Sequence, residues 1–580
     1  MSRNGEVAAR LEEFADLLAV KGVEYKPRSY RRAAENVRDR PEPIEDLVAE
    51  GPDAVARIDG VGDAIAAKIV EYVETGSIAE LDDLREELPV DVEALTAVEG
   101  VGPKTVGALY DALDVRTLDD LERAAREEEI REVSGFGPKT EANVLENVAF
   151  ARRASERERL GDVRPLADDL LASLADVPAV ERAEAAGSLR RWKETVGDVD
   201  VLVATADPDA VIAALVDWER VGSVIEAGET KASVRVDGLR VDLRATATDE
   251  FGAALQYFTG SWDHNVALRN RAIDRGLKMN EYGVFDLPDV ADPDGERAGE
   301  RIAGETEAGM YAALDLPPIP PELREDSGEI EAAAAGDLPD LVTTDDLRGD
   351  LHTHTEWSDG DATIAEMVEA AQRRGYDYHV VSDHATGPGM VGGVGLTDDD
   401  LREQMGEIER VAADAAIPVL AGVEANVDAD GDLSVGDDVL AALDVVVASP
   451  HSALGQDREA ATDRLVRAVE HPETTVLGHP TGRLINSRPG LTPDVERVAA
   501  AAADHGVALE VNAHPHRLDL RDVAVRTAVE AGATLAVNTD AHVPAELDNA
   551  RYGVHTARRG WAEATDVLNA REVDGLREFL

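Results

Sequence analysis

Two aspartates placed two positions apart at the head of an apolar run constrain this chain more than any other feature. They lie in Gly197-Asp198-Val199-Asp200-Val201-Leu202-Val203, ten residues after the turn Gly187-Ser188-Leu189-Arg190-Arg191. On a strand, residues i and i+2 share a face, so Asp198 and Asp200 reach one small volume. A second strand-like run, Val234-Arg235-Val236 to Arg240-Val241-Asp242-Leu243, offers a third carboxylate, Asp242. Three acids converging from two strands suit a pair of Mg²⁺ ions about 4 Å apart, the arrangement that clamps attacking and leaving oxygens in an in-line phosphoryl transfer.

The last 230 or so residues carry a different chemistry. Of 13 histidines only His264 precedes residue 350, and most of the others follow apolar, strand-like runs. His352-Thr353-His354 precedes Asp359; His384 ends Tyr378 to Asp383; Glu424 ends Pro418 to Val423; His451 follows Val445 to Ser449; His479 follows Thr475 to Gly478; Asp540 and His542 follow Thr534 to Asn538. Helical stretches such as Thr363–Arg373 and Asp399–Ala413 separate them. Functional groups after successive strands predict a βα barrel with its site at the C-terminal mouth. Imidazole mixed with carboxylate suits Zn²⁺, Mn²⁺ or Fe²⁺.

The N-terminal part repeats a third device. Gly60-Val61-Gly62, Gly100-Val101-Gly102 and Gly135-Phe136-Gly137 each follow an apolar residue by one or two positions and open a helix. Paired glycines permit a tight turn and a close approach to phosphate, and the following helix N-terminus presents unpaired N–H groups to that anion. Three copies point to sequence-independent contact with a nucleic-acid backbone.

Charge decides how such contact can work. Asp and Glu total 119 against 58 Lys and Arg, a formal charge of −61. Lysine is confined to Lys21, Lys26, Lys68, Lys104, Lys139, Lys193, Lys231 and Lys278. We read this as adaptation to a salt-rich cytoplasm, where the Debye length falls to about 3 Å at 1 M. Long-range attraction to phosphate is then nearly absent, and DNA binding rests on backbone N–H groups, hydrogen bonds and metal bridges. Cysteine is absent, which excludes disulfides and thiolate sites. No signal peptide or membrane-length apolar run is visible, so a cytoplasmic location is expected.

These motifs carry family resemblances. Gly187-Ser188-x-Arg190-Arg191 with Gly197-Asp198-x-Asp200 resembles the palm signature of family X DNA polymerases, within the nucleotidyltransferase superfamily, and Tyr257-Phe258-Thr259-Gly260-Ser261 resembles that family's nucleotide pocket. The resemblance implies that Gly187, Ser188 and Arg191 hold the nucleotide phosphates, that Tyr257, Phe258 and Gly260 line the sugar, that Trp262 stacks on the incoming base, and that Asn265 and Arg269 touch minor-groove edges. Trp192 stands where the family commonly has glycine. The Gly-x-Gly segments resemble helix-hairpin-helix motifs, making Gly60, Gly62, Gly100, Gly102, Gly135 and Gly137 the DNA-backbone residues. Lys68 occupies the position of the family's Schiff-base lysine for abasic sites, although Ala64, often basic in relatives, is uncharged here. The C-terminal motifs resemble the PHP (polymerase and histidinol phosphatase) domain. That implies a cluster of three Mn²⁺ or Zn²⁺ ions on His352, His354, Asp359, His384, Glu424, His451, His479, Asp540 and His542, with Asp383, Arg483 and His516 supporting it or binding phosphate.

The expected architecture is multidomain α+β and α/β: helical helix-hairpin-helix domains over 1–85 (lyase-like) and 86–152 (fingers-like), a nucleotidyltransferase palm with mixed sheet and nucleotide-selection region over 153–320, a linker over 321–346 beginning at Pro317–Pro321, and a PHP (β/α)7-type barrel over 347–580. The expected function is short-gap DNA polymerisation in base-excision repair. The barrel would act as a 3′→5′ exonuclease, 3′-phosphatase or abasic-site endonuclease. Partners are gapped, nicked or abasic DNA and dNTPs, with the protein a monomer. The alternatives are a nuclease that uses the polymerase half as a DNA clamp, and a non-enzymatic repair scaffold.

Overall fold

The structure is a computed structural model. It describes all residues except 1–2, 24–25, 39–43, 59, 97, 99–100, 134–135, 143, 146–147, 149–156, 288–294 and 388–393. The chain divides into two compact units: Met1–Glu156 with Asn486–Pro489, and Arg157–Ile485 with Gly490–Leu580.

The first unit is helical. Its long first helix, Arg3–Val20, packs along Lys26–Arg38. Leu11, Phe14 and Leu18 of the first join Tyr30, Ala34 and Val37 of the second in one buried core. Two hairpins are described at their second glycine, which ends an extended residue and caps a helix: Gly62 before Asp63–Thr75 and Gly102 before Pro103–Leu113.

In the second unit a five-stranded mixed sheet comes first, in the order Arg182–Ala185, Val199–Ala204, Leu239–Thr246, Lys231–Val236, Val221–Ala227. Val199–Ala204 and Leu239–Thr246 are its only parallel pair; the other neighbours run antiparallel. Strict alternation along Leu239–Thr246 sends Val241, Leu243 and Ala245 into the core and turns Arg240, Asp242 and Arg244 to the other face. Two helices, Phe251–Thr259 and Trp262–Asp274, and a three-stranded antiparallel sheet over residues 277–303 complete this half.

Seven parallel strands in sequence order then form the barrel: Gly349–Asp350, Tyr378–Val381, Val419–Asn426, Val445–Ser449, Val476–Leu477, Ala508–Asn512 and Leu535–Asn538. They are buried on both faces, which is why they read as apolar runs and not as alternating ones. The seam between first and last strands is nearly closed. Thr353 and Ala541 form a backbone bridge, and the Asn569 amide donates to Gly349 and Val537 carbonyls while accepting from the Val537 N–H. One side chain thus replaces the missing ladder bonds.

Residues 321–346, expected as a linker, belong to the second compact unit. They include the helix Glu329–Ala335. Three of their charged side chains are buried and paired. Glu329 meets His264 at 2.5 Å and Glu322 meets His555 and Arg558, each at 2.7 Å. Arg324 is enclosed by the Ile319 carbonyl and Glu307. A buried charge is tolerated only when partnered; composition alone does not reveal those partners.

Candidate active sites

The parallel pairing of Val199–Ala204 with Leu239–Thr246 sets Asp200 directly opposite Asp242. Asp198 precedes the strand by one residue, and the three carboxylates offer oxygens within 4.8 Å of one another. Ser233, cross-strand from Asp242, donates its hydroxyl to it, and Arg240 approaches the other oxygen at 2.9 Å. Burial, then the charges of Asp198 and Asp242, push the Asp200 carboxyl up to about 7. Three acids crowded in this way need a cation to be ionised together, which is the donor set Mg²⁺ prefers. Gly187 makes the approach feasible: its φ is +60°, and a Cβ there would lie 2.2 Å from Oδ2 of Asp200.

The other residues expected at the nucleotide surround this triad in part. Ser188 accepts a hydrogen bond from Arg157 at 3.3 Å. Arg191 donates to the Thr259 carbonyl at 2.7 Å and to Glu325 at 3.0 Å. Tyr257 and Phe258 stand edge to face, 5.1 Å apart, on the last turn of the helix Phe251–Thr259. Gly260 ends that helix in extended backbone, and a Cβ on it would meet Asn265 Oδ1 at 2.6 Å. Asn265 donates to the carbonyls of Tyr257 and Gly260, at 2.7 and 3.3 Å, and so staples the helix break. Trp262, 75% exposed, and Arg269 lie two turns apart on the following helix.

In the barrel, all nine expected residues converge at the C-terminal mouth. His354, Asp359, His384 and His542 form one potential ligand group, His352, His354 and Glu424 a second, and His384, Glu424 and His451 a third. His479 Nε2 lies 2.9 Å from Glu424. Hydrogen bonds cannot account for this crowd. His354 Nδ1 and His479 Nδ1 are buried with no hydrogen-bond partner, and His352 Nε2, His384 Nδ1 and His451 Nε2 all crowd the single Glu424 carboxylate. Unpartnered buried ring nitrogens beside several imidazoles sharing one carboxylate fit a cluster of cations. The fields are strongly split: burial, then His384 and His542, pull His354 down to about 3, whereas Asp359 and Asp540 outweigh burial and lift His542 to about 9.

The support beneath includes residues the sequence reading missed. Glu510 accepts from His352 Nδ1 at 2.8 Å and from the His479 N–H at 2.6 Å, and Asn426 Oδ1 lies 2.7 Å from His451 Nδ1. The two ring contacts turn His352 Nε2 and His451 Nε2 toward the cluster, and the third holds the His479 backbone. A lone acid inside the apolar run Val507–Val511 was the available signal for Glu510. Asp383 gathers Thr355, Ser358 and Gln404 under the His354–Asp359 loop. Arg483 donates to Glu194 and the carbonyls of Arg517 and Leu518, and His516 sits 3.8 Å from Asp162. Arg517 instead stands 3.5 Å from Asp540 with a buried NH1 that has no partner.

In the helical unit, Gly60 has φ +74°, a turn requirement. Gly62 and Gly102 have φ of −88° and −86°, open to any residue, and a Cβ at Gly62, Gly102 or Gly137 would meet nothing within 4 Å. Among the described residues, no steric contact demands glycine at these three positions. Gly100 and Gly135 lie outside the described residues. Lys68 pairs with Glu80 at 2.6 Å over the Phe14 ring; burial pulls its amine down, but Glu80 and Tyr30 prevail and the net movement is upward, toward a held ammonium.

Segments of the chain match known domain families: a helix-hairpin-helix domain over 2–78, a SAM-like helix-hairpin-helix tandem over 92–148, the DNA polymerase beta thumb over 254–325 and the PHP domain over 350–514. A Bacillus subtilis protein named DNA polymerase/3′-5′ exonuclease PolX is 34% identical over 580 residues, 99% of each chain. DNA polymerase lambda of Rattus norvegicus is 27% identical over 335 residues, 54% of this chain and 55% of its own. A probable phosphatase of Thermoanaerobacter is 29% identical over 244 residues, 40% of this chain and 93% of its own. Among the described residues, no helix is long and apolar enough to cross a membrane. With its identity to one relative sustained from end to end, and with hairpin, thumb and PHP segments in that order, the chain belongs to the PolX family, family X DNA polymerases that carry a C-terminal PHP domain.

Proposed function

We propose that this protein is a DNA-directed DNA polymerase that fills short gaps during base-excision repair and carries a metal-dependent phosphoesterase in the same chain. One observation carries the reading: two separate constellations, each short of cations by its own donor chemistry, occur in one chain. In the palm, Asp198 and Asp200 would hold two Mg²⁺ ions, with Asp242 on the ion nearer the primer 3′-OH. When bound, these ions supply Lewis-acid stabilisation of the attacking and leaving oxygens. The chain's own share is orientation. Gly187 lets Asp200 close in; Ser188 and Arg191 receive the nucleotide phosphates; Tyr257, Phe258 and Gly260 bound the sugar; Trp262 and Arg269 offer a stacking face and a cation along one helix.

In the barrel, the nine-residue set would hold three ions. Its imidazole-rich donors favour Mn²⁺ or Zn²⁺, which when bound supply an activated water for phosphodiester or phosphomonoester hydrolysis. Glu510 and Asn426 fix ring orientation, and the buried donor of Arg517 suits a substrate phosphate oxygen. Hydrolysis at a 3′ end, as 3′→5′ exonuclease or 3′-phosphatase, would clean the terminus that the palm extends; cleavage at abasic sites would serve the same repair. The hairpin glycines Gly62, Gly102 and Gly137, with no steric contact among the described residues to demand glycine, support contact with the backbone of gapped, nicked or abasic duplex. Domains follow as 1–85 and 86–152 for DNA contact, 153–320 for polymerisation and 347–580 for hydrolysis, in a cytoplasmic monomer.

Primer extension on a one-nucleotide gap with Mg²⁺, paired with a nuclease assay in Mn²⁺ at high salt, tests both halves. Asp198→Asn is expected to abolish nucleotide addition, leaving duplex binding and hydrolysis intact; normal extension by that variant overturns the triad. Hydrolysis without extension by the wild-type protein would favour a nuclease with a polymerase-derived clamp, and neither activity a scaffold.

A further inference from the structure

The loop Gly187–Lys193 that carries Ser188 and Arg191 is held from outside the palm. Arg559, at the end of the barrel helix Ala550–Arg559, is almost fully buried and donates to the Arg191 carbonyl at 2.7 Å, to Glu325 at 3.2 Å and to the Glu322 carbonyl at 3.3 Å. Its remaining donors anchor on Asp522, at the start of another barrel helix. Glu325 in turn receives Arg191 Nε at 3.0 Å and lies 3.4 Å from Lys193 Nζ. The Arg191 guanidinium is thereby fixed between Glu325 and the Thr259 carbonyl, the latter on the last turn of the helix that bears Tyr257 and Phe258.

Trp192 is the second hold. Its φ is +54°, the left-handed conformation that glycine adopts freely and tryptophan does not. The side chain is held by two contacts: the His555 ring is stacked at 3.7 Å and 7°, and the Arg164 guanidinium lies over the ring 4.6 Å from its centroid. Tyr552, one helical turn before His555, meets its edge at 5.9 Å. The position where the family commonly has glycine therefore keeps a glycine-like backbone, and the barrel supplies the packing that stabilises it.

We propose that the barrel helix Ala550–Arg559 is a working part of the polymerase site, with Arg559 and His555 as positioning residues that set the Arg191 loop for the nucleotide triphosphate. The proposal rests on the reading of Arg191 as a phosphate ligand. A guanidinium fork rewards geometry, so loss of its outer anchor weakens nucleotide binding before it weakens the metal-dependent step.

The test uses the full chain on one-nucleotide gapped DNA, reading KM for dNTP, kcat, duplex affinity, hydrolysis and thermal midpoint for each variant. Arg559→Gln is expected to raise KM for dNTP by about tenfold, with kcat and duplex affinity changed by less than about threefold and hydrolysis retained. Glu563→Ala removes a different contact between the barrel and the segment before it, to the Asp340 N–H, that touches neither Glu322 and His555 nor the loop. It is expected to lower the midpoint while leaving KM for dNTP unchanged. Equal KM increases in both variants would reduce the effect to general interface stability and overturn the proposal. Arg191→Ala separates the two readings: if it raises KM for dNTP and Arg559→Gln does not, positioning by the barrel is wrong. If Arg191→Ala leaves KM unchanged, the phosphate-ligand reading falls and the proposal with it.

Discussion

Replacing Gly187 with alanine separates what the palm needs to fold from what it needs to work. The backbone at Gly187 has φ +60°, and an alanine Cβ would lie 2.2 Å from Asp200 Oδ2 and 3.2 Å from its Cγ. Left-handed backbone costs an L-residue about 1–2 kcal/mol. The clash itself is inexpensive to relieve, because the intruded atom is the end of a side chain that can rotate, and burial with two neighbouring acids already disfavours the Asp200 carboxylate. Rotation nevertheless removes the central ligand from the triad. Loss of one preorganised electrostatic contact at a reacting phosphate costs roughly 10²–10³ in kcat. Gly187→Ala is therefore expected to lower the stability of the second unit by only about 1–2 kcal/mol while depressing gap filling by about two to three orders of magnitude. Single-turnover extension at saturating dNTP reads the chemical step, and calorimetry reads stability. Near-normal extension would refute the idea that this glycine exists for Asp200; unfolding of the unit would refute the claim that Asp200 yields cheaply.

Gly62→Ala and Gly102→Ala meet no steric obstacle among the described residues, and the gain from a less flexible unfolded chain is offset by alanine's poorer N-cap, so stability should change by less than about 1 kcal/mol while duplex binding weakens, measured by fluorescence anisotropy at high salt; unchanged affinity would mean no phosphate approaches those hairpins. Glu510→Gln keeps the volume but removes the negative charge and turns one of two accepting oxygens, which receive His352, the His479 N–H, Asn512 and Asn538, into an NH2 donor, and should reduce metal retained after dialysis by about 10–100-fold with gap filling intact. Repulsion among 119 acids predicts a thermal midpoint that rises strongly between about 0.1 and 2 M KCl; a flat response would contradict adaptation to a salt-rich cytoplasm. Lys68 is held as an ammonium by Glu80 and Tyr30, so borohydride trapping on abasic DNA should be weak in the wild type, stronger in Glu80→Gln, and absent in Lys68→Ala; an adduct that persists without Lys68 would assign the chemistry to another amine.

Both constellations were legible because their residues sit where local periodicity fixes direction. Asp198 and Asp200 share a strand face, and the barrel ligands follow successive apolar strands, so knowing the elements nearly suffices to know the sites. Glu510 escaped because its role depends on which strand lies beside Gly349–Asp350 across the barrel mouth, a long-range fact. Asn265 and Arg483 carry chemistry suited to nucleic acid, yet their donors are consumed by nearby carbonyls, and donor accounting requires coordinates. The same accounting applies within the expected linker. Glu322, Arg324 and Glu329 are buried there in pairs with Arg558, Glu307 and His264, partners that lie far away in sequence or on other elements. This bears on how the two reactions share a chain. Their ligand sets have no residue in common, so His352→Ala with His354→Ala would strip only the barrel's metals. Their scaffolds are continuous, however: Leu518, Ile485 and Tyr552 of the barrel lie in the same buried cluster as Val199, Val201 and Leu243 of the palm. Chemical independence and mechanical dependence are therefore compatible here, because ligands are local and the positions of loops are not.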